Sequence, residues 1–472
     1  MKRSLILCLV APLVLGACGG GVGQPSAAPS QPASAGAKPS AAPAVSSPAA
    51  GAQPPGPAAK PSIPPAGAAA GSAAKQPIKV GIIEPLTGSF APLGNENADG
   101  FKTFLNSIRN TAAGRQIEPI FADDQAKPDV TLTKAKELVE NQKVVALMGF
   151  NTTPSAYAVA QWVKTSHVPM MITTNAAAEN MLTDAKFASP YLTRWTETFT
   201  QVIDPTVDWL IKQGHRKAII VSADFAPGIQ VADLFASGFI RKGGSILQEF
   251  YPAVATTDFG PFLAQFNQSA DVVYVFVPGV DSLRFADQYS SYSGQKKPLL
   301  FDGFGLIGAG PVVAQLKDKV DGVVSADVFD PSSVDPGTKA FLKEWNAAHP
   351  GQPLSINIAN GYASGQLLAS AIEKAGGSVE DPQRFLQALY SLQLDTGKGP
   401  VRLDQNHDIV ENVYIFRTEK AGNDFVQKTL QTYTEVSDSW GRSAEEIAKF
   451  PFEKYKGKWV GMTKDQVAQA LK

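Results

Sequence analysis

The sequence predicts an α/β protein built as two doubly wound, parallel-sheet lobes with a hinge and a cleft between them. Three observations carry that expectation. From Pro77 onward, short β-branched runs alternate with amphipathic helical windows. The alternation restarts after Trp195, which gives two series in a chain too long for one core. The loops after the strands are rich in Gly, Pro, Thr, Ser and Asn, and open parallel sheets bind ligands at that edge.

In chain order, residues 1–17 read as an export signal. Lys2 and Arg3 precede a short apolar run that ends in Leu15-Gly16-Ala17-Cys18, too short to span a bilayer. This quartet resembles the lipobox of bacterial lipoproteins, which implies cleavage before Cys18 and lipid on its thiol. Residues 18–76 are mainly Pro, Ala, Ser and Gly, with almost nothing large and apolar to offset ordering entropy, and read as a disordered spacer.

The first series then begins. "IKVGII" predicts a strand and Asn95–Ile108 a helix, followed by the strand "IEPIFAD" and the helical window "PDVTLTKAKELVENQ". "VVALMGF", a helix over Pro154–Thr165 and "VPMMIT" continue it. The second series runs from a helix over Thr198–Gln213 through "KAIIVS", a helix to Arg241, "SILQEFY" and "DVVYVFV". A helix over Ser282–Tyr292, then "PLLFD" and "GVVSAD", complete it. Parallel strands joined by right-handed crossovers require helices on both faces of each sheet.

Composition narrows the chemistry. Cys8 leaves with the signal, so the mature chain holds Cys18 and no internal disulfide. The formal charge of −1 becomes two units more negative on losing Lys2 and Arg3, a balance that argues against nucleic acid as a partner. His167, His215, His349 and His407 are scattered without metal-ligand spacing, and Asp123-Asp124 precede a helix where capping explains them, so no metal is expected. "GYASGQ" is not a nucleophile elbow. Gly303, Gly305 and Gly308 form a literal G-x-G-x-x-G, but late in the second series and with bulky residues inside the loop. No catalytic residue and no cofactor are expected, and the chain reads as a binder rather than an enzyme.

Three loops of the first series, "EPLTGSFAPLG", "GFNTTPS" and "TTNAA", end where helices begin. Free N–H groups there favour an anion, and Thr152, Thr153, Thr174 and Asn175 can add hydroxyl or amide contacts. Each of these residues is also a good helix cap. Arg194 in "YLTRW" can pair with a carboxylate, but its place before the crossover suits a structural role better.

From Pro77 to about Glu435 the chain resembles the leucine/isoleucine/valine-binding family of ABC-importer solute receptors. "IKVGIIEPLTGSFAPLGNENADGF", "DDQAKPDVTLTKAKELV", "SADFAPG", "YVFVPGVDS", "NGYASGQLLASAIEKAGG" and "GPVRLDQNHD" carry the resemblance. It implies the type I periplasmic-binding fold, with 77–197 plus about 328–396 as one lobe and 198–327 plus about 397–435 as the other. It also implies that Thr152 or Thr153, Thr174 and Ala176, with Asn175 adjacent, hold a ligand carboxylate. Phe225, Ala226, Pro278, Gly279 and the Asp302–Phe304 loop would close from the second lobe.

One departure bears on the ligand. Amino-acid binders of the family place an acid after the "PLLFD"-type strand to meet the ligand ammonium, whereas this alignment puts Phe304 there. Asp302 takes that role only if the register slips by two. A buried ammonium without a partner is costly, so the expected ligand is a small carboxylate with an aromatic or apolar body, walled by Phe225 and Phe304. Phe276, mid-run in "YVFV", reads as core. The alternatives are a branched-chain amino acid or amide, or a sensory role in place of import.

The expected partners are the small molecule, an ABC permease and the membrane itself through Cys18, with the chain acting as an exported, anchored monomer facing the periplasm or outer surface. In the tail, residues 436–472, Trp440, Phe450, Phe452, Tyr455 and Trp459 are too many aromatics to stay solvated, so it is expected to dock on a lobe.

Overall fold

A computed structural model describes residues 76–177, 181–294, 296–308, 310–437, 450 and 454–471. The expected signal peptide, Cys18 and the spacer up to residue 75 lie outside these residues, as do Trp440 and Phe452. The first sheet is formed by β1 (Ile78–Glu84), β2 (Thr111–Ala112), β3 (Arg115–Asp123), β4 (Ala146–Gly149), β5 (Met170–Ile172) and β6 (Leu192–Arg194). Its order is β2-β3-β1-β4-β5-β6, parallel except for β2. The helices α1 (Ala91–Ser107), α2 (Pro128–Glu140) and α3 (Thr153–Ser166) connect its strands. Period-two side-chain alternation builds a core on each face. Ile78, Val80 and Ile82 belong to one, with Phe101 of α1, while Ile83, Leu147 and Ile172 join Leu138 and Val159 in the other.

The first helix starts four residues earlier than its apolar spacing suggested, because Pro92 sits within its first turn, where a missing N–H costs nothing. Pro128, Pro154 and Pro227 open α2, α3 and α5 in the same way.

The chain crosses over between Trp195 and Thr198 into α4 (Phe199–Lys212). Thr198 and Gln201 form a reciprocal capping box there. The second sheet is then laid down by β7 (Lys217–Ser222), α5 (Ala226–Arg241), β8 (Ser245–Phe250), α6 (Gly260–Leu263), β9 (Val272–Phe276), α7 (Val280–Ser290), β10 (Leu299–Asp302), α8 (Gly310–Leu316) and β11 (Val324–Asp327). Its strands β8-β7-β9-β10-β11 are parallel. Ala218, Ile220, Val272 and Tyr274 face α4 and α5, whereas Ile219, Val221, Val273 and Val275 face the α7 side.

The chain returns through α9 (Pro336–Ala348), α10 (Ile356–Lys374) and α11 (Pro382–Tyr390), with α10 packed along α1. It ends with β12 (Gln393–Thr396), β13 (Gly399–Leu403), β14 (Ile409–Ala421) and β15 (Asp424–Val436). These extend the second sheet in the order β12-β13-β14-β11, all antiparallel, with β15 hairpinned onto β14. The second sheet is therefore mixed and only its leading part parallel, because β12–β15 are joined by turns too short for crossovers.

Beyond β15, the described tail residues lie on the second sheet's lobe. Gly457, Trp459 and Val460 donate their backbone N–H groups to the Glu249 carboxylate at 3.0, 2.7 and 3.2 Å. The Trp459 indole, fully buried, donates to Asp233 of α5 at 2.6 Å, and α12 (Lys464–Ala470) packs on α5. Removing that indole leaves a large cavity and takes away one bond to Asp233. Trp459→Ala is expected to lower stability by about 3–5 kcal/mol, measured as the shift in chemical-denaturation midpoint against the parent chain.

Candidate ligand-binding cleft

The carboxyl ends of the two parallel sheets face one another, and a small cavity lies between them. Five phenylalanines line it. Phe225 stacks on Phe276 at 6.4 Å with the rings nearly parallel, and Phe276 meets Phe304 edge-on at 5.3 Å. Phe199 contacts both Phe276 and Phe304, at 6.1 and 5.6 Å. From the first lobe, Phe90 reaches Phe225 at 6.3 Å. Phe276 thus belongs to the core and to the cavity wall at once. Such ring arrays suit a flat apolar guest.

The polar end comes from the loop between β4 and α3. Gly149 and Phe150 have φ of 101° and 74°, and a bulky residue in the left-handed region marks stored strain. A Cβ at Gly149 would meet the Ile83 carbonyl at 2.5 Å, so only glycine fits. This turn delivers Asn151, Thr152 and Thr153 to the cavity. Thr152 stands at the N-cap of α3, yet its hydroxyl makes no capping bond. It is buried without a partner, and so are both polar atoms of Asn151. Asn151 lies close enough to Glu84 to act on that carboxyl, but outside hydrogen-bond geometry. Buried polar atoms are rarely left unpaired, and here they adjoin the free N–H groups of a helix start.

Of the residues expected in the site, Thr152, Thr153, Asn175, Phe225, Pro278 and Phe304 line the cavity. The others do different work. Thr174 donates its hydroxyl to Glu84 Oε1 at 2.7 Å, and Ala176 is buried in the core behind it. Asn175 binds Asn357 at 2.7 Å, which ties it to the start of α10. Ala226 opens α5 beside Phe225, outside the lining. Gly279, at φ 71°, belongs to the rim, where a Cβ would meet the Ser89 carbonyl of the opposite lobe at 2.7 Å.

Asp302 is turned into its own loop. It accepts from Ile307 and Gly308 N–H at 2.6 and 3.0 Å and from Ser325 Oγ at 3.1 Å, which leaves it facing away from the cavity. Those bonds also occupy the glycine-loop amides that a pyrophosphate would need. Asp123 and Asp124 accept from the Leu86, Thr87, Gln125 and Ala126 N–H groups and from neighbouring hydroxyls, and no metal-binding cluster occurs among the described residues. Arg194 is fully buried against Asp408, with Nε to Oδ1 at 2.8 Å.

Sequence reasoning missed several lining residues, among them Phe90, Leu93, Asn151, Glu197, Phe199 and Ile356. Phe90 and Asn151 lie inside loops already singled out, one step from the residues chosen. Glu197 had its own signal, a lone carboxylate in "WTETF".

Glu84 ends β1 beneath the loops. Burial pushes its carboxyl up to about 8, against the opposing bonds from Thr174 and from Asn97, the latter at 3.3 Å. Near neutral pH it is mainly uncharged, which spares an anionic guest a like charge nearby. The folded chain keeps a proton that the unfolded chain releases, so stability falls as pH rises from 4.5 to about 8 and levels off above. Glu84→Gln is expected to remove that slope, gaining up to about 4 kcal/mol on the parent across the interval, as read from urea unfolding at pH 5 and pH 8.

Comparison with known proteins agrees with this architecture. Residues 77–423 match the family described as periplasmic binding protein. A Brucella melitensis protein named Leu/Ile/Val-binding protein homolog 6 is 28% identical over 382 residues, covering 78% of this chain and 95% of that one. The solute-binding protein of an ABC transporter from Rhodopseudomonas palustris BisB5, solved with 3,4-dihydroxybenzoic acid, is 28% identical with a TM-score of 0.71. That match covers 77% of this chain and 98% of the other. A second such protein, from R. palustris HaA2 with p-hydroxybenzoic acid, is 26% identical with a TM-score of 0.70, covering 78% and 99%. With two facing sheets, a cleft at their carboxyl edges and a family match across most of its length, the chain belongs to the periplasmic binding proteins, as an ABC-transporter solute-binding protein and not an enzyme.

Proposed function

We propose that this chain is an exported, lipid-anchored receptor that captures a small aromatic carboxylate between its lobes and hands it to an ABC permease. The observation that carries the reading is the pairing of five phenylalanine walls with the unpartnered Asn151 amide and Thr152 hydroxyl at the start of α3. An apolar ring fits the first and a carboxylate the second. The aromatic acids held by the two R. palustris relatives support the same choice. Closure is a hinge motion, and the guest's contacts with both lobes shift the open–closed balance. Lipid on Cys18 supplies the anchor, and the Pro-rich spacer sets the reach.

A second reading, a branched-chain amino acid, draws on the name of the Brucella relative and on the Glu197 carboxylate in the cavity, which could meet an ammonium.

A thermal-shift panel of benzoate, hydroxybenzoates, L-leucine and L-valine separates the two. Aromatic acids at about 100 times Kd should add about 2.7 kcal/mol of stability, whereas stabilisation by leucine or valine alone overturns the aromatic assignment. In the same assay, Asn151→Ala and Thr152→Val should each weaken aromatic-acid binding by about tenfold or more, as loss of a bond to a charged group does. For the anchor, labelled palmitate fed to cells should mark the parent chain but not Cys18→Ser. Equal labelling of both would remove the lipid from the proposal.

A further inference from the structure

The crossover between the lobes places a second polar group in the cavity, and the ligand-carboxylate loop does not account for it. Glu197 lines the aromatic cavity while only 8% exposed. Thr196 Oγ1 donates to its Oε2 at 2.6 Å, whereas among the described residues no donor reaches Oε1 and no cation pairs with the group. The nearby cations are already taken, since Lys398 is held by Glu411 at 2.7 Å and Arg194 by Asp408. Around it the balance is acidic. Burial, with the Glu197 charge adding, holds Asp327 well above its usual range, and burial first, with Glu197 adding, raises Glu411 to about 7. A carboxylate on an apolar cavity wall with one oxygen free of protein donors offers that oxygen as an acceptor to whatever enters.

We infer that Glu197 reads a hydrogen-bond donor on the ring of the captured acid, a hydroxyl or an amino substituent, and so selects substituted aromatic acids over unsubstituted ones. This rests on the aromatic-carboxylate reading above and adds a second polar contact, made by the crossover and not by the β4–α3 loop. Phe199, two residues on, packs against Phe276 and Phe304, so the same short segment supplies both a ring wall and the acceptor. A site that hydrogen-bonds a substituent rejects the analogue lacking it far more strongly than an apolar pocket rejects an extra methylene.

Isothermal titration calorimetry of the full soluble chain with benzoate, 3- and 4-hydroxybenzoate and 4-aminobenzoate tests the inference. The parent should bind at least one substituted acid about tenfold or more tighter than benzoate. Glu197→Leu should bring that ratio to within about threefold while benzoate affinity holds or improves. Glu197→Gln, which keeps shape and an acceptor oxygen, should retain part of the preference and guards against a folding defect in the leucine variant. A stronger response to the amino-substituted acid than to the hydroxy acids assigns an N–H donor, and the reverse an O–H donor; either supports the inference. Benzoate binding as tightly as every substituted acid, or a preference unchanged in both variants, overturns it while leaving the aromatic-acid reading intact. Failure of all four acids to bind, with L-leucine binding instead, overturns the aromatic reading and the inference together.

Discussion

The arrangement of the cleft depends on how the last strand of the first sheet is fastened to the second sheet. Arg194 at the end of β6 is wholly buried and forked onto Asp408 at the head of β14, and its backbone N–H donates to the His407 carbonyl at 3.1 Å. A few residues later Gln201 donates to the Ile409 and Val436 carbonyls at 2.8 and 2.9 Å, which ties the start of α4 to β14 and to the end of β15. Two charges removed from water attract strongly only while their geometry holds. The fork therefore constrains where the crossover runs, and Thr196, Glu197 and Phe199 enter the cavity region from that fixed point. Cleft and hinge share one short piece of chain.

The cavity divides its labour by charge. The β4–α3 loop offers donors, made from an amide, a hydroxyl and a helix start, in a place where the Glu84 carboxyl is held mainly neutral by burial. The crossover offers an acceptor set among further acids, Asp327 and Glu411. Between them lie rings. A guest that satisfies both ends has to be negative at one and a donor at the other, with a flat body joining them. The phenylalanines contribute area and shape, but orientation comes from the few polar groups, because an unmet bond in a dry cavity costs more than a poorly packed methyl group.

Much of this could be read before any coordinates. The alternation of β-branched runs with helical windows located the strands of both parallel series, apart from the short edge strands β2 and β6, because buried parallel strands carry their pattern locally. The loops at the strand ends were visible for the same reason, and with them Thr152, Phe225 and Phe304. What stayed hidden depends on distance in space. Nothing near Asp302 in the sequence reveals that Ile307 and Gly308 fold back onto its carboxylate, and nothing near Thr174 names Glu84, ninety residues away, as its acceptor. The antiparallel additions β12, β13 and β15 were missed because their faces are partly exposed and their apolar pattern is broken, and buried β14 because it follows no parallel strand–helix alternation. Glu197 was overlooked because a hinge was treated as a connector rather than as a source of side chains.

The rim holds one more consequence. Gly279 approaches the carbonyl of Ser89 so closely that no side chain could stand between them. At this point the two lips of the mouth meet backbone to backbone, beside the cross-lobe ring contact of Phe90 and Phe225. Opening the seam parts that ring pair, so the residence of a captured molecule would be set jointly by it and by the molecule's own grip on both halves. A membrane partner that draws the halves apart would need to break both.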